Sequence, residues 1–266
     1  MTPGFEELVS VDGTIGPTAA ATVPLKDDGL YRGDGAFEVI RLYEGKPFAL
    51  VDHLDRLERS AAAIELSFDR GALEAEIGAL LAQAGPVEGQ MRLIVTRGGR
   101  RIAATEPIPP HPKTVSLVSV TYCPTVILNG VKSLSYAANM QATRIAKGQG
   151  ADEAVLIRPE GTVLEPPTSS VFWVSSEGTL RTPALDGGVL ESITRDRMIK
   201  ALDVEEGSWD VEDLRNASEA FLASTTREIQ AVSAVDGNVF AAAPGPRTRE
   251  AQAAFADTLG KELREL

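Results

Sequence analysis

Apolar residues in the first half of the chain recur at spacings that predict an α+β unit. Residues 54–66 and 71–84 carry them at the spacing of an amphipathic helix. Residues 91–96 and 114–120 have the pattern and composition of strands. Hairpins are predicted over residues 9–14 and 35–50, around the turns Asp12-Gly13 and Glu44-Gly45.

The second half of the chain continues with strands and helices in alternation. The predicted elements are a helix at 139–148, a hairpin at 153–164, strands at 171–174 and 179–182, a helix at 193–202, a strand at 220–223 and a helix at 248–265. Strands that alternate with helices favour a mixed α/β domain.

Two irregular segments divide the chain. Residues 97–112 are rich in Gly, Arg and Pro and follow neither period, which predicts a long surface loop. Residues 122–130 are irregular as well, and we interpret them as an interdomain linker. The sequence therefore predicts an N-terminal α+β domain over residues 1–121 and a C-terminal domain over residues 131–266.

Composition and charge favour a globular protein that acts on small molecules. Of the 266 residues, 43% are apolar and 24% are charged, which is ordinary for a chain that buries a core. The net charge of −12 argues against a nucleic-acid partner, because binding to phosphate backbones needs clustered cations. We expect a small metabolite as the partner instead.

The sequence favours a cytoplasmic location. Its one cysteine, Cys123, allows no intrachain disulfide, as is usual in a reducing compartment. We find no apolar stretch near the ~18 residues that a membrane span needs, and no signal-peptide pattern. Neither His53 nor His111 stands near a G-x-S-x-G motif, and the Walker A, H-E-x-x-H and G-x-G-x-x-G motifs are absent. Hydrolase, nucleoside-triphosphatase and dinucleotide-binding activities are therefore disfavoured.

Five short segments carry the residue types expected of a chemical site, and their order along the chain is informative. They are residues 32–41 with His53-Leu54-Asp55-Arg56-Leu57, residues 132–136 with Asn139, residues 150–154 with 164–170, residues 192–196, and residues 223–229. Each is weak alone. Five in one order make a chance match improbable.

Together the five segments resemble the class IV aminotransferases, which are fold-type IV enzymes that use pyridoxal 5′-phosphate (PLP). The family includes branched-chain and D-amino acid aminotransferases, (R)-selective amine transaminases and 4-amino-4-deoxychorismate lyase. The resemblance implies two domains, a smaller N-terminal α+β domain and a larger C-terminal domain, with the active site between them. It also implies an amino donor and a keto-acid acceptor as substrates. It further implies a homodimer in which the loop at residues 97–112 of one subunit contributes to the active site of the other.

The resemblance assigns Lys132 to the Schiff base with the cofactor and Glu165 to its pyridine nitrogen. A surface lysine and an ordinary strand-end carboxylate are the plain alternatives. The chain departs from the family directly after Glu165, where Pro166 and Pro167 replace residues that are commonly Gly and a small polar residue. Proline has no backbone N–H, so any amide bond that relatives make to the ligand there is lost.

The same resemblance names the groups that would hold the cofactor's phosphate and ring. They are Arg56, whose forked guanidinium suits phosphate, together with Tyr136, Thr168, Ser169, Ile193, Thr194 and Thr225. Ile193 and Thr194 begin a predicted helix, and free N–H groups at a helix start bind anions. Ser192 stands where the family usually has Gly, and serine is a good N-cap. Tyr136 could equally pack in the core.

The substrate side is less well marked. The resemblance implies contacts from Phe37, Arg100, Arg101 and Thr226, while Glu38 and Arg41 flank the same strand as candidates. Some D-amino acid aminotransferases have tyrosine at the position of Phe37, and a phenyl ring cannot donate a hydrogen bond to a carboxylate. A solvated basic loop is the alternative for Arg100 and Arg101.

Three functions remain open at this point. The runs Val95-Thr96-Arg97-Gly98 and Ser-Thr-Thr-x-Glu-Ile are similar to those of D-amino acid aminotransferases, and we expect an aminotransferase. Phe172-Trp173 and the short chain are similar to 4-amino-4-deoxychorismate lyase, which eliminates pyruvate without an acceptor. The departures at Phe37 and Pro166-Pro167 leave room for a protein that binds PLP without turnover.

Overall fold

The computed structural model describes residues 6–265, which group by contact into two compact units. The first unit contains the described chain up to Pro110, the segment Val131–Tyr136 and the last helical turn from Glu262. The second unit contains His111–Gly130 and Ala137–Lys261. No helix within residues 6–265 is long and apolar enough to cross a membrane.

The first unit is built on an antiparallel sheet. Its strands are β1 (Leu8–Val11), β2 (Thr14–Pro17), β3 (Gly35–Tyr43), β4 (Lys46–Pro47), β5 (Gly89–Thr96) and β6 (Arg101–Glu106), in the order β2-β1-β6-β5-β3-β4. The hairpin turns predicted at Asp12-Gly13 and Glu44-Gly45 are confirmed, and Asp12 and Glu44 adopt positive φ angles of 50°.

Two amphipathic helices cover this sheet, as their spacing predicts. The helices of the unit are α1 (Asp28–Arg32), α2 (Leu50–Ala63) and α3 (Arg70–Ala84). Leu57 on α2 and Ile77 on α3 are fully buried with Ile40 and Leu93 of the sheet, so the apolar stripe of each helix forms the core. Asp69 caps α3 by accepting a 2.9 Å hydrogen bond from the Ala72 N–H.

The second unit is built on a mixed sheet. Its strands are β7 (Thr114–Thr121), β8 (Glu153–Ile157), β9 (Ser170–Val174), β10 (Leu180–Pro183), β11 (Glu205–Gly207), β12 (Glu219–Ser224), β13 (Glu228–Val235) and β14 (Asn238–Val239). The order is β11-β10-β9-β12-β13-β7-β8, with β14 beside β13. Strand β7 runs parallel to both its neighbours, β13 and β8.

Helices and aromatic side chains pack on this second sheet. The helices are α4 (Ala137–Gly148), α5 (Ile193–Ala201), α6 (Val211–Arg215) and α7 (Pro246–Glu265). Phe172 stacks on Phe221 with ring centroids 4.9 Å apart, and the Trp173 indole N–H donates to Asp213 at 2.7 Å. Both members of the Phe172-Trp173 pair are fully buried, so core packing accounts for them.

The prediction of one continuous loop over residues 97–112 is wrong, because a strand lies within this segment. Strand β6 occupies the middle of this segment and pairs with β5 from Val95↔Arg101 to Gln90↔Glu106, whereas residues 107–112 contain no helix or strand. The connection between the two strands is a tight turn in which the Thr96 N–H donates to the Arg100 carbonyl at 3.1 Å. The small side chains of Ala103 and Ala104 lie buried, and alanine has a low strand propensity, so the pattern was weak.

The boundary between the units also differs from the predicted one at residues 122–130. Strand β7, assigned from sequence to the first domain, pairs with β13 and β8 of the second sheet, so the second unit begins at His111. Residues 131–136 return to the first unit, where Ser133 bridges Ala36. Periodicity identifies a strand but not its partner.

The N-terminus of α7 is capped by a carboxylate from β12, which yields a stability prediction. Glu219 accepts hydrogen bonds from the N–H groups of Arg247 and Thr248, both at 2.9 Å, and from the Thr248 hydroxyl at 2.8 Å. Because Glu219 is buried, Glu219→Ala should lower the free energy of unfolding by about 1–3 kcal/mol in urea denaturation. Glu250→Ala, on the exposed face of the same helix, is the control and should cost under about 0.5 kcal/mol. Equal losses would contradict the capping role.

Candidate functional site

A buried carboxylate organises one cluster of the first unit. Glu38 on β3 accepts hydrogen bonds from Arg56 through Nε and Nη2, each at 2.7 Å, one to each carboxylate oxygen. His53 Nδ1 lies 2.8 Å from the oxygen that also accepts from Nη2. All three side chains are buried, so the pair is shielded from water and the fork of Arg56 is fixed in orientation.

The local sequence explains how these three residues meet. Alternation along β3 places Glu38 on the face that carries Ile40, opposite Phe37. His53 and Arg56 are three residues apart on α2, which puts them on one helical face. The helix packs on β3 through its apolar stripe, and this brings both side chains to the carboxylate.

Burial and charge set the protonation of the cluster. Burial alone would raise the pKa of Glu38, but the charge and hydrogen bonds of Arg56, with help from His53, lower it to about 2. Burial lowers the pKa of His53, and the nearby positive charges of Arg56 and Lys132 add to that effect against the opposing pull of Glu38. At neutral pH Glu38 is therefore an anion and His53 is neutral. His53 Nε2 is buried and has no hydrogen-bond partner among the described residues.

Lys132 lies beside this cluster, on a segment bonded to β3 and α2. Its carbonyl accepts from the Phe37 N–H at 3.0 Å, and its own N–H donates to the Ser60 hydroxyl at 3.2 Å. The Nζ atom lies 4.4 Å from the centre of the Phe37 ring. The Tyr136 ring meets Phe37 edge to face at 5.3 Å. The structure thus brings together three residues predicted from sequence: Lys132, Phe37 and Tyr136.

In the second unit, Glu165 follows β8 on a short antiparallel return segment. The Leu156 N–H donates to the Glu165 carbonyl at 3.0 Å, and Oε1 of Glu165 accepts from the Leu190 N–H at 2.9 Å. The side chain is therefore oriented by the backbone of another segment. The residue as a whole is half-buried.

Helix α5 begins at Ile193, as predicted. Its N-cap Ser192 accepts from the Arg195 N–H at 3.3 Å, so serine replaces glycine without loss of the helix start. Ile193 and Thr194 are buried in the first turn, where backbone N–H groups have no carbonyl of the preceding turn to bind. Such a turn has the charge and the donors that an anion needs.

Two further predicted segments lie at the ends of strands β9, β12 and β13. Ser224 pairs with Glu228, so residues 225–227, with Thr225 and Thr226, form the turn between β12 and β13. At the start of β9, the hydroxyls of Ser169 and Ser170 are buried without a hydrogen-bond partner among residues 6–265. Buried polar groups are normally satisfied, so these hydroxyls have capacity for a ligand or water.

Arg100 and Arg101 are engaged elsewhere in the first unit. Arg100 pairs with Asp12 at 2.5 Å, and Arg101 pairs with the largely buried Glu76 at 2.7 Å. Both line a cavity of about 410 Å³ with Ser67, Phe68, Asp69, Thr96 and Gly99. Arg41 pairs with Glu88 at 3.5 Å and stacks on Tyr43. A substrate carboxylate would have to compete with the aspartate or glutamate already bound to each of these arginines.

Sequence reasoning missed two buried pairs of a carboxylate with an arginine. Glu38 was only a candidate and its partners were not foreseen, and the pair of Glu153 with Arg227 was not noticed. The signal was a glutamate within an apolar strand, in Phe37-Glu38-Val39 and before Ala154-Val155. A carboxylate at such a position is buried and requires a cation partner.

Comparisons with known proteins show which proteins this chain is similar to. Residues 35–235 match the sequence profile of the family described as amino-transferase class IV. D-alanine aminotransferase from Bacillus licheniformis is 31% identical over 96% of this chain and 98% of its own length. The branched-chain aminotransferase of Thermoproteus uzoniensis, solved with norvaline, superposes with a TM-score of 0.85 at 29% identity, over 96% of this chain and 95% of that one. A hypothetical aminotransferase from Mycobacterium tuberculosis, in its PLP-bound form, has the same fold, with a TM-score of 0.86 at 22% identity over 95% and 98%.

The depressed pKa of His53 predicts a loss of stability in mild acid. The folded protein binds fewer protons at His53 than the unfolded chain does once the pH falls below the ordinary value of 6.5, so the free energy of unfolding should decrease from that pH downward. His53→Gln should remove this part of the pH dependence in urea titrations of the apoprotein. His111→Gln is the control and should keep it; an unchanged slope in His53→Gln would refute the assignment.

Proposed function

This chain belongs to the class IV aminotransferase family, and on that premise we propose that it transfers an amino group from an amino acid or amine to a 2-keto acid with PLP bound covalently at Lys132. The observation that carries the proposal is the placement of Lys132. Its backbone is bonded to Phe37 and Ser60, which holds the amine in the same unit as the buried guanidinium of Arg56.

The donor groups fit a phosphate ester. We propose that the guanidinium of Arg56 contributes to binding of the phosphate, and that the N–H groups of Ile193 and Thr194 and the hydroxyl of Thr225 are further phosphate ligands. The buried Ser169 hydroxyl, which has no partner among the described residues, is a further donor. Because Glu38 is an anion at neutral pH, Arg56 is held in one orientation.

Glu165 is proposed to act on the pyridine nitrogen. Its carboxylate is fixed by the Leu190 N–H, and an anion there would keep a proton on the nitrogen. When bound, PLP supplies an electron sink for the charge that develops at the substrate α-carbon. Tyr136 is proposed to stand beside the cofactor, because its ring packs against Phe37 next to Lys132.

Lys132 is proposed as the general base. Its Nζ would remove the proton from the α-carbon of the amino donor and deliver a proton in the second half of the transfer. Phe37 forms an apolar surface next to this amine and offers no hydrogen bond to the substrate. We propose that the turn containing Thr226 contributes to binding of the substrate carboxylate, since Arg100 and Arg101 are already paired.

We also propose that two copies of the chain associate. Several large apolar side chains are exposed close together in the first unit, with Leu25 at 70% and Leu30 at 61% exposure, next to Tyr31 at 56%. Exposed apolar residues grouped in this way commonly mark an interaction surface.

We propose the reducing cytoplasm as the compartment, because Cys123 is exposed and allows no intrachain disulfide.

Replacement of the attachment residue tests the proposal directly. Lys132→Ala should abolish transamination and the absorbance of the imine between the lysine and the cofactor, because the covalent link is lost. The urea unfolding midpoint should change little. Lys200→Ala, whose side chain is 73% exposed on α5, is the control and should keep full activity. Substantial turnover by Lys132→Ala would overturn the assignment.

Acceptor dependence tests the reaction class. Purified protein incubated with D- and L-amino donors should form a keto acid only when 2-oxoglutarate or another 2-keto acid is present, because the amino group needs an acceptor. The preferred configuration of the donor defines the substrate. Release of pyruvate from 4-amino-4-deoxychorismate without any acceptor would indicate the lyase instead, and absorbance without any turnover would indicate a binding protein.

A further inference from the structure

Three side chains of the second unit form a closed ring of polar contacts. Arg227 Nη1 pairs with Glu153 Oε2 at 2.5 Å. Arg227 Nη2 donates to the Thr168 hydroxyl at 3.3 Å, and this hydroxyl donates in turn to Glu153 Oε1 at 3.3 Å. Each member therefore contacts both of the others.

The carboxylate of Glu153 in this ring is buried. The Glu153 side chain is only 4% exposed and that of Arg227 14%. Burial raises the pKa of Glu153, and Arg227 and Thr168 oppose that rise. A buried carboxylate without its cation is costly, so the position of Arg227 is strongly constrained by Glu153.

The ring joins two segments that are far apart in sequence. Arg227 is the last residue of the turn that contains Thr225 and Thr226, and Thr168 precedes Ser169 at the start of β9. Glu153 is the first residue of β8 and belongs to the rigid sheet. Both segments are thereby fixed to one point of the scaffold.

Neighbouring bonds limit the freedom of both segments further. Arg227 Nη1 also donates to Gln230 Oε1 at 3.1 Å, and Gln230 Nε2 donates to the Pro112 carbonyl at 2.5 Å. The Asn139 side chain donates to the Pro167 carbonyl at 3.1 Å, beside Thr168. The guanidinium of Arg227 is thus held by Glu153, Thr168 and Gln230, and it connects the turn at residues 225–227 to the segment at residues 168–169.

We propose that Arg227 is a positioning residue that, through Glu153 and Thr168, fixes the turn at residues 225–226 relative to residues 168–169 and so sets the affinity for cofactor phosphate and substrate carboxylate. The inference rests on the proposed function, in which these segments bind the two anions. Arg227 touches neither anion in this account. Its planar fork spans two partners at once, which a lysine ammonium cannot reproduce.

A stabilising ion pair and a positioning residue predict different results. Loss of a stabilising pair lowers the unfolding midpoint and leaves binding unchanged. Loss of a positioning residue frees both segments, so the apparent Kd for the cofactor and the KM for the donor rise together. We expect a rise on the order of tenfold, the equivalent of one charge-assisted hydrogen bond, and a smaller change in kcat.

The experiment compares Arg227→Met with Arg215→Met. Arg215 pairs with Asp236 at 2.7 Å, also in the second unit and partly buried, but joins no segment proposed to bind a ligand. The readouts are PLP titration of the apoprotein by absorbance, KM and kcat, and the urea midpoint. Arg227→Met should weaken PLP binding and raise KM about tenfold, whereas Arg215→Met should lower the midpoint and leave both constants within about twofold. Wild-type constants in Arg227→Met would overturn the proposal.

Two further variants keep the test decisive if Arg227→Met does not fold. Arg227→Lys keeps the charge next to Glu153 but not both bonds, and should weaken PLP binding several-fold with an unfolding midpoint near that of the wild type; unchanged PLP binding would overturn the proposal. The double variant Arg227→Met with Glu153→Gln should weaken binding no further than Arg227→Met alone, because the effect runs through one ring. Additive losses would contradict that route.

Failure of this inference is distinguishable from failure of the proposed function. If the wild-type protein binds no PLP, or if Lys132→Ala binds and reacts like the wild type, the proposed function itself fails. If the wild type binds PLP through Lys132 and Arg227→Met binds it equally well, only the positioning role fails.

Discussion

The buried ion pair between Glu38 and Arg56 ties helix α2 to strand β3 in the first unit. A carboxylate taken out of water inside a sheet must be matched by a cation with good geometry, and the fork of Arg56 supplies two 2.7 Å bonds. The match fixes α2 against β3. The segment that carries Lys132 is bonded to both of these elements, so the lysine is placed by the same constraint.

The second unit also contains a buried carboxylate paired with an arginine. Glu153 starts a buried strand and is matched by Arg227, as Glu38 is matched by Arg56. In each unit a carboxylate anchored in a sheet orients an arginine that arrives from another element. A buried pair of this kind contributes little net stability compared with an apolar core, but it holds side chains in one arrangement. Sites that bind anions benefit from such fixed orientation.

Much of the local structure could be predicted, and the misses have definite causes. The helices α2, α3, α4 and α5 lie close to their predicted bounds, because apolar residues at helical spacing are buried in each. Strand β6 was missed because its core positions are alanines, and the roles of Arg100 and Arg101 could not be judged without knowing that Asp12 and Glu76 lie opposite them. Ion pairs between residues far apart in the chain produce no periodic pattern in the sequence.

The sequence by itself determined the family, through five short segments in a fixed order, and with it the lysine expected to react. Only the tertiary structure decided which strands share a sheet, so that β7 belongs to the second unit and residues 131–136 to the first. It also decided that Glu38 and Glu153 are buried and which arginine neutralises each. Local pattern reports which face of an element is buried, whereas the partner across that face depends on contacts between residues far apart in the chain.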